Sequence, residues 1–379
     1  TGTHPAALPE RTLREEAVDF VCDREGPETI LAVAAALKQG GADFSGIPSL
    51  WYREGAEIRS NPPGELMDDL DREMPGVAWD LLPMEKYRAH NWHCFEHIFE
   101  RTPYASMHTS LGCPYKCSFC CINAPFGKPS YRMWSPDAVI REIDVLVTRY
   151  GVKNIKFVDE MFVLNTNHVL GICDRIIERG YDLNIWAYAR VDTVKERFLD
   201  KLNRAGFRWL ALGIESGSKH VRDGVEKGRF GSVDIIKTVR GIQAAGINVI
   251  GNYIFGLPDD TLQSMQETLD LAFEANCEFA NFYCAMAYPG SRLYKMAVEK
   301  GWQLPDSWIG YSQHSYETLP LQTEALSSAE VLRFRDDAFM KYFSDPGYLG
   351  FVQKKFGDDV VQHLRDMTRI RLKRKILGD

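Results

Sequence analysis

Ser110-Leu111-Gly112-Cys113-Pro114-Tyr115-Lys116-Cys117-Ser118-Phe119-Cys120-Cys121 sets three cysteines at C-x3-C-x2-C spacing directly after a short apolar run. Three thiolates from one such loop can converge on an inorganic centre. A [4Fe–4S] cluster held by only three cysteines keeps one iron open to a small-molecule ligand. Structural zinc also takes thiolates, but it usually brings a second C-x2-C or H-x3-H pair, and none follows Cys113, Cys117 and Cys120 here. Cys121 reads as a buried or neighbouring thiol and not as a fourth ligand, because adjacent side chains rarely reach the same metal.

Outward from this stretch the chain alternates. Strand candidates fall at about 105–110, 153–158, 183–188, 209–213, 248–255 and 279–285, each followed by a helical pattern. The first helix carries its own punctuation: Ser135 as N-cap, Pro136 at the first helical position, and Gly151 just past the end. Six strand-helix units in a row predict an α/β fold, a parallel sheet that is open or curled into a partial TIM-like (βα)6 barrel, with right-handed crossovers. In such barrels chemistry sits at the C-terminal ends of the strands. The unusual residues fall there: the cysteines after the first strand, Asp159-Glu160 after the second, Arg190 and Asp192 after the third. Gly213-Ile214-Glu215-Ser216-Gly217, Phe255-Gly256-Leu257-Pro258 and Tyr288-Pro289-Gly290 follow the remaining three.

Each of these has a plain reading beside a functional one. Asp159-Glu160 is either a turn that caps a helix or a carboxylate site for an ammonium group. Arg190 pairs with Asp192 or with a ligand carboxylate that fits its guanidinium fork. Glu215 and Ser216 lie between glycines that let backbone approach a ligand, so Glu215 can accept hydroxyl hydrogen bonds from a ribose. Phe255, Gly256, Leu257 and Pro258 offer apolar contact and free backbone groups to a flat ring. Tyr253, Phe282, Tyr283 and Tyr288 line a pocket or pack. His93, Cys94, His97 and His108 read as ordinary, and Cys22, Cys173, Cys277 and Cys284 as core.

The flanks differ from the alternating part. Residues 1–50 read as the end of an α/β unit: a loop at Gly2-Thr3-His4-Pro5, a short helix from Pro9, a strand over Val18–Cys22, and a helix from about Glu28 to Gln39 with Ile30, Leu31, Val33, Ala34 and Leu37 on its apolar face. Residues 51–103 read as an irregular, Pro- and Gly-rich linker, 104–300 as the barrel core, and 301–379 as a helical extension ending in a basic, solvated face (Arg369, Arg371, Lys373, Arg374, Lys375). Thr1 stands inside a turn, which predicts missing upstream residues. The formal charge of -7 over 379 residues argues against a general nucleic-acid surface. Nine scattered cysteines and no apolar run long enough to span a bilayer predict a cytoplasmic, reducing location.

The cysteine motif, with Phe119 before its last cysteine, resembles that of the radical S-adenosylmethionine (SAM) enzymes, and the strand-end motifs agree over about 104–300. The resemblance implies a [4Fe–4S] cluster on Cys113, Cys117 and Cys120 whose open iron is chelated by SAM. It puts Phe119 and Phe255–Pro258 near the adenine, Asp159 or Glu160 at the methionine amino group although no Gly-Gly-Glu stands there, and Arg190, Glu215 and Ser216 near the ribose or methionine part. Gly2–Glu10, Val18–Val21 and Arg24–Thr29 look like the last third of a doubly wound, Rossmann-like cobalamin-binding domain, and Ile47–Arg53 and Ala78–Pro83 like the segment that joins it to the barrel in one subgroup. The implied activity is reductive cleavage of SAM to a 5′-deoxyadenosyl radical for cobalamin-dependent C-methylation of an unactivated carbon. A radical cyclisation, rearrangement or oxidation without methyl transfer is the alternative, and a non-catalytic iron–sulfur carrier or sensor a third. Implied partners are a small-molecule, natural-product or lipid-type substrate and an electron donor such as flavodoxin or ferredoxin, with cobalamin expected in the intact protein.

Overall fold

Short runs rich in Ile, Val, Phe and Ala can be buried on both faces only if helices cover them, and the long runs between them supply amphipathic helices. The structure, a computed structural model, describes residues 1–41, 43–227 and 231–379. The chain forms two units, one of Thr1–Asp68, Gly112–Arg132 and Ala287–Trp302, the other of Asp69–Leu111, Met133–Met286 and Gln303–Asp379.

The first unit holds a sheet of β1 (Phe20–Cys22), β2 (Leu50–Glu54) and β3 (Glu57–Ser60), in that order and antiparallel. Where 51–103 was expected to be irregular, residues 51–60 are a hairpin. Gly55, at φ 61°, turns the chain between Glu54 and Glu57, and Leu50 and Tyr52 alternate inward onto Val33 and Ile47. Thr3–Ala7 is a helix where a loop was expected, with Pro5 in the first turn, where its missing N–H breaks no bond. The helix Pro27–Lys38 buries Thr29 and Val33, while Ile30, Leu31 and Leu37 stay exposed, against the expected apolar face.

The second unit is an open barrel. β4 (Tyr104–Met107) starts it, and the two-residue segments β5 (Ser110–Leu111) and β6 (Arg132–Met133) flank the cysteine loop in sequence. Then follow β7 (Asn154–Phe157), β8 (Asn184–Arg190), β9 (Phe207–Glu215), β10 (Asn248–Phe255) and β11 (Phe279–Cys284). The six barrel strands are parallel in the order β4-β7-β8-β9-β10-β11, the sequential order that right-handed crossovers produce. The helix Pro136–Tyr150 has the expected caps: the Ser135 side chain accepts from Ala138 N–H, and Gly151 closes the helix at φ 65°.

Register fixes which residues face inward, because paired residues of parallel neighbours point to the same side. Ser106, Lys156, Trp186 and Trp209 are aligned across four strands. Asn252 pairs with Asn281 and Ile254 with Tyr283 on the same face. Trp92 closes the lower end of that face, its ring 5.0, 5.8 and 6.0 Å from those of Trp186, Trp209 and Phe279. Beneath the barrel, buried His93 bonds Asn184 O through Nε2 at 2.9 Å, and burial pushes its imidazole down to about 3, so it stays neutral. Tyr253 and Phe282 point outward, stacked at 5.5 Å, and line no pocket at the rim.

Residues after 302 finish the β11 edge. The Gln313 side chain bonds both Cys284 N–H and Cys284 O, Leu321 N–H donates to Ala285 O, and Arg335 Nε donates to Phe282 O. Exposed strand edges invite pairing with other chains, and this one is covered. The helices Ser328–Phe343, Pro346–Phe356 and Asp358–Arg369 complete the unit. The basic tail is not a solvated helical face: the helix stops at Arg369, and Arg374 is 1% exposed, forked onto Asp336 at 2.9 and 3.0 Å and donating to Gln313 O and Ser315 O. Among the described residues no helix is long and apolar enough to cross a membrane.

Candidate functional site

The cysteine loop belongs to the first unit and is pinned there from several sides. Gly112 enters it at φ 84°, where a Cβ would lie 2.6 Å from Ser130 O, so only glycine fits. Ser118 O accepts from Leu293 N–H at 2.8 Å, and Cys120 N–H closes a turn onto Cys117 O at 3.1 Å. Gly290, at φ 89°, lets Ala124 and Ala7 approach to where its Cβ would stand. Where the loop ends, Arg132 forks onto Glu25 at 2.6 and 2.9 Å and also donates to Met67 O, a nearly buried charge pair with its hydrogen bonds filled.

Cys113, Cys117 and Cys121 are half-buried and Cys120 is exposed. Burial, and after it the charges of Cys121, Cys117 and Cys113, push the Cys120 thiol up to about 12. The sulfurs of Cys113, Cys117 and Cys121 therefore lie within electrostatic reach of Cys120. Among the described residues no three His, Cys, Asp or Glu side chains stand at metal-ligating spacing. A cluster fits this loop in donor type and confinement, and its binding has to draw the thiols together.

The strand ends of the barrel unit carry the other expected residues. Asp159 is fully buried and accepts from Thr109 N–H at 2.7 Å, Thr109 Oγ1 at 2.6 Å and Ser110 Oγ at 2.5 Å; Thr109 Oγ1 also meets His168 Nε2 at 2.9 Å. Burial outweighs these three donors and pushes the carboxyl up to about 6, while burial pushes His168 down to about 4. Asp159 thus holds the chain just before the cysteine loop, and Glu160 is half-buried, with its Oε2 shielded from solvent.

Arg190, Glu215 and a residue that sequence reading missed, Lys227, form one cluster. Arg190 forks onto Asp192 at 2.9 and 3.0 Å and donates to Lys227 O; Lys227 Nζ reaches Glu215 Oε1 at 2.6 Å. Glu215 holds a left-handed backbone at φ 67°, uncommon for a residue with a side chain and found where geometry is enforced by function. Only the charge of Lys227, in a loop of its own, could have signalled it.

Other expected groups are occupied elsewhere. Ser216 is fully buried, its hydroxyl 3.1 Å from Thr268 Oγ1. Phe255 stacks outward on Phe282 at 5.7 Å and Leu257 is fully buried. The N–H groups of Gly256 and Leu257, expected to be free, are bonded to Asp260 at 3.0 and 2.9 Å. Of that segment Pro258 stays half-exposed, as does Phe119 in the cysteine loop.

The sequence profile of the Radical SAM superfamily matches residues 107–272. An uncharacterized methyltransferase of Pyrococcus horikoshii is 31% identical over 353 residues, covering 92% of this chain and 72% of that protein. The anaerobic magnesium-protoporphyrin IX monomethyl ester cyclase of Rubrivivax gelatinosus is 24% identical, covering 92% of this chain and 61% of its own. Among solved structures, the radical SAM methyltransferase TsrM from Kitasatospora setae, with cobalamin and a [4Fe-4S] cluster bound, has a TM-score of 0.64 at 20% identity over 88% of this chain and 63% of TsrM. This chain therefore spans less than two thirds of the cyclase and of TsrM, and TsrM's likeness is one of fold. With a cysteine loop of this spacing, a parallel six-stranded barrel and a relative this close, the chain belongs to the radical SAM superfamily.

Proposed function

We propose that the protein is a cobalamin-dependent radical SAM methyltransferase that methylates an unactivated carbon. The observation that carries this reading is the pinned cysteine loop: Cys113, Cys117 and Cys120 supply three thiols of one type, and Cys121 is left beside them. These three hold a [4Fe–4S] cluster, while Glu160, Arg190, Glu215, Pro258 and Phe119 contribute to SAM recognition. When bound and reduced, the cluster would supply the one electron that cleaves SAM to methionine and the 5′-deoxyadenosyl radical, and cobalamin would carry the methyl group. The chain's own residues do the positioning: Asp159 fixes the approach to the loop, Arg132 and Glu25 its exit, and the Arg190-Lys227-Glu215 cluster sets one strand end. The methyltransferase relatives from Pyrococcus and Kitasatospora support methyl transfer, and the latter's cobalamin supports that cofactor for the intact protein.

Anaerobic reconstitution with iron and sulfide, followed by SAM and dithionite, is expected to yield 5′-deoxyadenosine. SAM labelled in its methyl group is expected to pass that label to cobalamin in the full-length protein. An intact cluster that never yields 5′-deoxyadenosine would sink the proposal. Radical cyclisation without methyl transfer is the second reading, favoured by the Rubrivivax cyclase's match over 92% of this chain, and deoxyadenosine formation with no label on cobalamin selects it.

A further inference from the structure

The inner face of the barrel holds one cation whose circumstances are unusual. Lys156 stands on β7 between Ile155 and Phe157, both fully buried toward the helices, so its own side chain points inward. Its ammonium lies 4.6 Å from the Trp186 ring centre and 5.6 Å from that of Tyr188. Burial lowers its affinity for a proton, and no other cause acts on it. Its charge is felt by His90, His93 and His108, the last lowered by burial first and by Lys156 second. Among the described residues no carboxylate pairs with Lys156.

A half-buried ammonium is normally paired, because removing it from water is costly. Aromatic faces recover part of that cost and leave the charge uncompensated. Around it the inner face is polar and aromatic. Ser106 is its registered neighbour on β4, His108 lies two residues further along that strand's course, and Tyr188 sits above Trp186. Across the barrel Asn281 Nδ2 bonds Asn252 Oδ1 at 3.0 Å, and Tyr283 is half-exposed beside Ile254. The lower end is shut by Trp92, so the lysine sits on the floor of this face.

We propose that Lys156 is the anchor for an anionic oxygen group, a carboxylate or phosphoryl, on an aromatic or otherwise flat substrate, with Tyr188 and Trp186 as the wall against which that substrate lies. This deepens the reading of the protein as a radical SAM enzyme and rests on it for the word substrate. The anion would complete the charge that the fold leaves open, and Ser106 and His108 are placed to add hydrogen bonds to its oxygens.

The test uses the reconstituted full chain and its K156M and K156R variants. Tryptophan emission is followed on titration with 3-phenylpropionate, phenyl phosphate and the neutral 3-phenylpropanamide. Saturable change is expected with at least one of the two acids and not with the amide; which acid binds tells carboxylate from phosphoryl. K156M is expected to weaken that binding about 10- to 100-fold, the worth of one charge-assisted hydrogen bond, with K156R intermediate. K156M is also expected to melt at a higher temperature than wild type without ligand, since a lysine kept for structure would lower the midpoint when replaced. Equal binding by K156M, amide binding as tight as the acids, or a lowered midpoint overturns the proposal. Wild-type chain that binds the acids through Lys156 yet forms no 5′-deoxyadenosine overturns the proposed function and leaves the anion site standing.

Discussion

Glu215 and Lys227 form an ion pair of 2.6 Å in which neither residue is more than a tenth exposed, and Glu215 makes it from a left-handed backbone. Removing one partner of such a pair leaves a buried charge alone. K227M is therefore expected to cost about 3–5 kcal/mol in urea unfolding. E215Q removes the charge but keeps an acceptor, so it should cost less stability and weaken SAM binding, read by equilibrium dialysis of the reconstituted protein.

Iron content discriminates among the four clustered thiols. C113A, C117A and C120A are each expected to leave the reconstituted protein without a stable cluster and with 5′-deoxyadenosine at background. C121A is expected to keep both. Loss of the cluster in C121A would make Cys121 a ligand and close the iron that SAM needs.

Gly112 should act on the loop without touching the barrel. In G112A the new methyl meets Ser130 O, and the left-handed backbone disfavours alanine by about 1–2 kcal/mol before that clash. Iron bound after reconstitution is expected to drop sharply while the far-ultraviolet circular dichroism stays unchanged.

Acid should reveal Asp159. Its folded carboxyl, pushed up to about 6, holds a proton more tightly than the unfolded value of 3.8, so the stability tied to it is present below that value and is lost as pH rises through about 6. His168, pushed down to about 4, works in the opposite direction over 6.5 to 4, so wild type alone mixes the two. Compared with D159N, wild type is expected to gain relative stability from pH 7 to pH 5 in urea unfolding. A difference that stays flat with pH would mean that Asp159 is ionised throughout.

Trp92 shuts the floor of the barrel face against three aromatic rings. Trp92 is only half-buried, so W92A is expected to cost about 2–3 kcal/mol, less than removal of a fully buried aromatic, and to lower the melting midpoint.

The barrel was readable because its signals are local. Ser135, Pro136 and Gly151 bound their helix without help from the rest of the chain, and the six apolar runs recur at a spacing that only strand-helix units explain. The cysteine loop was readable because thiol chemistry depends on residue type. Direction was harder. In β10 every second residue faces the helices, but Tyr253, Ile254 and Phe255 are all apolar or aromatic, so the run does not say that Phe255 turns outward onto Phe282. Nor could it say that Asp260 takes the N–H groups of Gly256 and Leu257, or that Asp159 spends its carboxylate on Thr109 and Ser110, because those pairings join residues whose separation only the folded chain closes. The hairpin at 50–60 hid behind the Pro and Gly residues around it. Lys156 drew no notice, since one lysine in a strand candidate looks like a solvent position until the register turns it inward.

The unit that carries the cysteines is assembled from three separate stretches, the last of them Ala287–Trp302. During synthesis Cys113, Cys117 and Cys120 leave the ribosome long before Gly290 and Leu293, which close the turn around Ala124 and hold Ser118 O. All six barrel strands have emerged by then. The three thiols therefore stand without these contacts through the making of the barrel: a nascent chain stalled before Ala287 has Cys113, Cys117 and Cys120 and lacks the Gly290 and Leu293 contacts that hold their loop.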